Sequence, residues 1–177
     1  MIFEKTNNMN GWIFIDKPQN LSSFQVIRRI RKVLNIKKIG HAGTLDPFAT
    51  GLLAIAIGEA TKCIKYFNKP KSYFFKVTFG ESKDTDDITG KTVNQSDVIP
   101  SIKEIEKCLV KFIGSHSQVP PNYSAVKING QRAYKLARKN KKFIINPRLV
   151  DIYSLECLET SIKNEFIFNL ECSAGTY

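Results

Sequence analysis

The sequence predicts an α+β fold: a largely antiparallel mixed β-sheet flanked by helices and loops. Three observations predict it. Apolar runs rich in strand-forming residues recur at 11–18, 52–57, 71–80, 150–158 and 165–172. Two stretches, 20–35 and 101–113, place apolar residues at helical spacing behind a Ser-x-x-Gln or Ser-x-x-Glu capping box. The intervening segments are punctuated by Gly, Pro, Asn and Asp, the residues of turns.

Gly11-Trp12-Ile13-Phe14-Ile15-Asp16-Lys17-Pro18 reads as a short strand stopped by its proline. Asn20 to Asn35 reads as a helix, with Ser22 and Gln25 as cap and N3 and with Val26, Ile27, Ile30, Val33 and Leu34 as its apolar stripe. Arg28, Arg29, Arg31 and Lys32 make much of its remaining surface basic, a face suited to phosphates or simply to solvent. Leu52 to Ile57 reads as a buried strand, and Glu59 to Phe67 as a short helix. Lys71 to Gly80 is strand-forming, with Tyr73, Phe75, Val77 and Phe79 on one face. Glu81 to Gly90 gathers Asp84, Asp86 and Asp87 but lacks the Gly and Glu that an EF-hand beginning at Asp84 requires, so it reads as a turn between strands. Ser101 to Ile113 is the second capped helix, with Ser101 and Glu104 as its box, Gly114 as its stop and a stripe of Ile102, Ile105, Leu109, Phe112 and Ile113. Val150 to Leu158 and Glu165 to Cys172 close the sheet; the second alternates Phe166, Phe168, Leu170 and Cys172 with more polar neighbours.

The stretch from Gly40 to Leu53 carries the strongest chemical signal. Asp46 is framed by Gly40, Gly43 and Gly51, which let backbone turn or approach a ligand closely. Pro47 biases Asp46 toward extended geometry. An acid is thus expected on a shaped loop, held by the strand that follows.

With 177 residues, the chain fits one domain or a domain plus a fragment, and 42% hydrophobic and 11% aromatic residues argue against disorder. Its 27 Lys and Arg against 16 Asp and Glu give a formal net charge of +11, which favours a polyanionic partner, nucleic acid or an anionic membrane. Cys63, Cys108, Cys157 and Cys172 form no C-x-x-C pair and there are two histidines, so zinc-site spacing is absent and reduced, packed thiols of a cytoplasmic protein are expected. His116 has no convincing partner in the sequence. Met1 to Asn10 lacks a secretory apolar core, and no apolar run approaches the ~18 residues of a membrane span. RNA is therefore a better partner than a membrane. The run Gln131 to Lys142 strengthens that, carrying Arg132, Lys135, Arg138, Lys139, Lys141 and Lys142 without an acid.

The stretch around Asp46 resembles the G-H-x-G-x-L-D-P-x-A-x-G-x-L motif of the TruB family of tRNA pseudouridine synthases. Further segments carry the same resemblance: Asp16-Lys17-Pro18, the strand at Lys71-Ser72-Tyr73, the acidic turn before Gly90, Gln118 to Gly130, and Cys172-Ser173-Ala174-Gly175-Thr176-Tyr177. It implies a pseudouridine synthase fold in which Asp46 is the catalytic aspartate and Tyr73 lies against the target base. Tyr177 would stand near Asp46 and His41 would enter the T loop. Lys17 would act near substrate or in supporting the Asp46 loop. Residues 120–147 would be a basic arm gripping a tRNA T stem-loop. No cofactor, metal, membrane or obligate protein partner is implied. On the same resemblance, residues 1–177 form a catalytic domain incomplete at its C-terminus. The family's next Ile-Arg, the rest of the sheet and the C-terminal RNA-binding domain would lie beyond Tyr177.

The implied reaction breaks the C1′–N1 bond of uridine, turns the uracil and rejoins it through C5. An aspartate, ordinarily of pKa about 3.9, is ionised at neutral pH and can serve as nucleophile or base. The competing reading is an RNA-binding or RNA-folding module whose catalysis is lost or weak. A hydrolase pairing Asp46 with Asp84 or Asp86 would need carboxyls roughly 5–10 Å apart across a cleft.

Overall fold

The computed structural model describes residues 9–67 and 70–177, so most of the Met1 to Asn10 segment lies outside the described residues. The chain divides into two compact units, Met1–Asn68 and Lys69–Tyr177.

The first unit is a three-stranded antiparallel sheet with one helix. Its strands are β1 (Gly11–Lys17), β2 (Ile39–His41) and β3 (Gly51–Ile57), in the order β1-β3-β2, and its helix is α1 (Ser23–Val33). β3 is central because Leu53-Ala54-Ile55-Ala56-Ile57 is apolar on both faces, and all five residues are buried. Val26 and Ile27 of α1 pack on Leu53 and Ile55, with Ile13, Ile15, Leu21, Ile30, Ile39 and Leu45 around them. Each such fully buried aliphatic chain contributes about 1.5–3 kcal/mol. The opposite face gives room to aromatics: Phe14 and Trp12 register with Ala54 and Ala56, and Trp12 stacks on Phe67 with ring centroids 5.0 Å apart. Consecutive 3₁₀ turns, Gly58–Tyr66, follow β3 where the sequence predicts a short helix.

α1 begins as expected. The Ser22 hydroxyl accepts from the Gln25 amide at 3.2 Å, and the Gln25 side chain accepts from the Ser22 amide at 2.8 Å. It ends two residues before Asn35, which stands in the left-handed region at φ 49. Val33, the last residue of α1, is exposed rather than part of the stripe.

The second unit is built on a four-stranded antiparallel sheet. It comprises β4 (Lys71–Thr78), β7 (Gly114–Gln118), β10 (Arg148–Glu159) and β11 (Glu165–Cys172), in the order β4-β11-β10-β7. Small hairpins are added by β5 (Glu81–Lys83) with β6 (Thr92–Gln95) and by β8 (Lys127–Ile128) with β9 (Gln131–Arg132). The helices are α2 (Ile102–Leu109) and the short α3 (Ala133–Ala137). Phe166 and Phe168 form the buried centre with Ile105 of α2. The aromatic face of β4 joins it: Phe75 lies opposite Phe168 with rings stacked at 5.4 Å, and Phe79 meets Phe166 edge-on at 5.5 Å.

Three expectations are corrected here. The helix from Ser101 changes to a 3₁₀ turn after Leu109, so Phe112 and Ile113 leave the stripe and are exposed. Gly114, with φ +102, then opens β7 instead of capping the helix. Cys63 and Cys108 are exposed, not packed; Cys172 is buried. The acidic run is a turn, as its composition suggests. Asp87 accepts from the Thr89 amide at 2.8 Å and from the Thr85 hydroxyl at 2.7 Å, and Asp84 accepts from the Lys91 amide at 2.8 Å. Gly90 is required there, since a Cβ would lie 2.3 Å from Thr85 Oγ1.

Candidate active site

Asp46 is solvent-exposed on the loop between β2 and β3. It opens a turn in which Pro47 takes the second position and the Ala49 amide donates to the Asp46 carbonyl at 3.1 Å. Proline's fixed φ suits that position, so the motif's Asp-Pro pair is a structural instruction as well as a chemical one.

The loop is held at both shoulders of Asp46. Before it, both polar main-chain groups of Leu45 meet the buried Ser23 hydroxyl, with the Leu45 amide donating at 2.9 Å and the hydroxyl donating to the Leu45 carbonyl at 3.1 Å. The Leu45 side chain packs into the sheet–helix core. After it, the Pro47 carbonyl accepts from the Asn20 amide at 2.7 Å and from Lys17 Nζ at 3.4 Å. Farther out, the Ala42 amide donates to the Ala54 carbonyl at 2.9 Å, and the Gly51 amide donates to Asp16 Oδ1 at 3.2 Å. Gly51 has φ +124, a conformation that side chains rarely adopt.

Lys17 has no accessible surface, and its ammonium also donates to the carbonyls of Pro18 and Leu21, each at 2.8 Å. Three donors thus meet three acceptors. Burial pushes its pKa below the usual lysine value, while the negative charge of Asp46 pushes it back up. Of the two roles the sequence leaves open for Lys17, this geometry carries support of the loop. His41 is half-buried at the end of β2, and its Nδ1 bonds the Gly43 carbonyl, which sets the ring against its own loop.

Tyr73 and Tyr177 belong to the second unit and are both partly exposed. Tyr73 stands on β4 opposite Leu170. Tyr177 is fixed through its backbone by Gln118 of β7, whose side-chain Oε1 accepts from the Tyr177 amide at 2.9 Å and whose Nε2 donates to the Tyr177 oxygen at 2.5 Å.

Arg28, Arg29, Arg31 and Lys32 are exposed on α1. The arm at 120–147 is more ordered than a basic insertion needs to be: Val126, Ala133 and Ile145 form a small core, with Ile128 and Phe143 against it. Around that core, Lys135, Lys139 and Arg138 are exposed, Arg138 lies 5.6 Å from the Tyr134 ring centroid, and Arg132 is tied to the Ala125 carbonyl. Residues 126–129 and 142–148 line an open groove of about 930 Å³. Among the described residues, no group of three His, Cys, Asp or Glu side chains could hold a metal ion, and no helix is long and apolar enough to cross a membrane.

Sequence reasoning missed Ser23, Asn20, Asp16 and Gln118. Two of them carried a signal, since Asp16 begins the Asp-Lys-Pro motif and Gln118 opens the motif that runs to Gly130; Ser23 and Asn20 carried none.

The chain is similar to known proteins. A crystal structure of a Cbf5-Nop10-Gar1 complex superposes with a TM-score of 0.67 at 28% identity, over 94% of this chain and 40% of that one. The tRNA pseudouridine synthase B of Ehrlichia ruminantium (strain Gardel) is 47% identical over 171 residues, 96% of this chain and 58% of that protein. The protein of the same name from Caulobacter sp. (strain K31) is 42% identical over 175 residues, 98% of this chain and 56% of that protein. The model of the TruB family pseudouridylate synthases, N-terminal domain, matches residues 31–177, and the chain belongs to that family. It spans a little over half the length of these curated relatives.

Proposed function

We propose that this chain carries the catalytic carboxylate of a tRNA pseudouridine synthase, an isomerase acting on the T-loop uridine in the cytoplasm. The observation that carries the reading is Asp46 itself, solvent-facing yet fixed through the peptide units on either side, in a chain of the TruB family. The names of the two relatives support tRNA as the substrate. A stacked base is out of reach of any side chain, so the uridine is flipped out of the loop. Asp46 attacks or deprotonates the flipped nucleotide and His41 fills the vacated space, while Tyr73 and Tyr177 serve in binding the nucleotide. Arg28, Arg29, Arg31 and Lys32, with the basic arm, contact phosphates. Neither a cofactor nor a metal takes part in this scheme.

The test is formation of pseudouridine in a T-arm hairpin by the chain and by its Asp46→Asn variant. Product from the unaltered chain and none from Asp46→Asn is the expected result. Product from Asp46→Asn removes Asp46 from the chemistry. Hairpin binding without product from the unaltered chain favours an RNA-binding module.

A further inference from the structure

Ser23 does two things that the helix it begins does not need. As the first residue of α1 it sits behind the cap, which Ser22 supplies. Its hydroxyl instead turns to the Asp46 loop, 22 residues away, and satisfies both the amide and the carbonyl of Leu45. Only 1% of Ser23 is exposed, so water cannot replace it there. A serine hydroxyl is the smallest side-chain group that accepts and donates at once. Alanine would leave two main-chain groups without this partner, and any larger side chain would displace the loop from α1.

We propose that Ser23 is a positioning residue for Asp46: its hydroxyl fixes the Leu45 peptide and thereby the direction in which the next residue projects. This rests on the isomerase reading for its kinetic consequence, but not for its structural one. Lys17 and Asn20 hold the Pro47 side of the same residue, so loss of Ser23 frees one shoulder and leaves the other in place.

The experiment compares Ser23→Ala with Ser22→Ala, which removes the helix cap of the same α1 but makes no bond to Leu45. Thermal midpoint, amide exchange at Leu45, hairpin affinity and single-turnover pseudouridine formation at saturating hairpin are measured on each. Ser23→Ala should speed exchange at Leu45 and lower the saturated rate by about 10- to 100-fold, the cost of a loosely placed reacting group, with affinity within about twofold. Ser22→Ala should lower the thermal midpoint and leave exchange at Leu45 and the saturated rate alone. Should Ser23→Ala fail to fold, Ser23→Cys, close in size and weaker as a donor, takes its place in the same comparison. Unchanged exchange at Leu45, or a rate loss matched by Ser22→Ala, overturns the proposal. Absence of product from the unaltered chain counts against the isomerase reading alone, and exchange at Leu45 then decides the role of Ser23.

Discussion

Replacing Lys17 with methionine tests the support of the Asp46 loop most directly. Methionine keeps the length and apolar stem of lysine and removes only the ammonium. Pro18 and Leu21 lose donors at 2.8 Å, while Pro47 loses a longer bond at 3.4 Å and keeps the Asn20 amide at 2.7 Å. Two charge-assisted bonds at about 1.5–3 kcal/mol each give a gross loss of about 3–6 kcal/mol. Removing a buried charge returns part of this. Lys17 has no accessible surface, so the cost of burying its charge offsets part of the bonds and the lower end of the range applies, about 3 kcal/mol. With a urea m-value of about 1.5 kcal/mol/M, the midpoint should fall by about 2 M. Trp12, the single tryptophan, lies in the first unit and stacks on Phe67, so its fluorescence follows this unit. The pH dependence has a definite sign. Burial holds the folded pKa of Lys17 below the ordinary 10.5, so over the interval between the two the unfolded chain binds more protons. Folding stability from this group therefore rises with pH in that interval, and Lys17→Met should lack the rise. A midpoint shift below about 0.5 M, or a gain in stability, would refute the reasoning by showing that charge burial outweighs the bonds.

Three other outcomes are expected. Ser101→Ala removes the hydroxyl that caps α2 and should cost about 1 kcal/mol in a thermal or urea melt. Hydrogen bonds and charge from Lys62 and Lys38 pull the exposed Glu59 carboxyl down to about 2, from an ordinary 4.5. Its contribution is therefore complete above pH 4.5 and lost as pH falls through about 2; Glu59→Gln should flatten that part of the stability profile, and high salt should do the same. In hairpin binding, the double variant Arg28→Gln, Arg29→Gln should reduce the slope of log affinity against log salt by up to about 0.9 for each phosphate no longer neutralised; an unchanged slope removes that face of α1 from the interface.

Local chemistry made much of this fold legible. Both capping boxes, β3 and β11 follow from patterns within a few residues, and the structure places each close to its expected bounds. Misjudged features depended on distant partners. Val33, Phe112 and Ile113 continue a helical period but stand where no neighbour covers them, the first at the very end of its helix and the other two where the helix tightens to a 3₁₀ turn. β7 was invisible because Gly114-Ser115-His116-Ser117-Gln118 has little strand propensity; pairing with β10 makes it a strand. At the candidate site, Asp46 could be read from its glycines and proline, whereas Ser23 and Asn20 could not. Their roles arise only when α1 folds against the β2–β3 loop, and no spacing rule connects positions 22 residues or more apart.

The small core of Val126, Ala133 and Ile145 has a practical consequence. Few apolar side chains hold the arm, so it should open at a lower free energy than the four-stranded sheet beside it in sequence. It is also where Arg132, Lys135, Arg138, Lys139, Lys141 and Lys142 concentrate the bonds that trypsin cleaves. Brief digestion should therefore nick the chain there first. A bound polyanion lying on the same side chains would shield them, so the rate of that first cut becomes a label-free measure of occupancy.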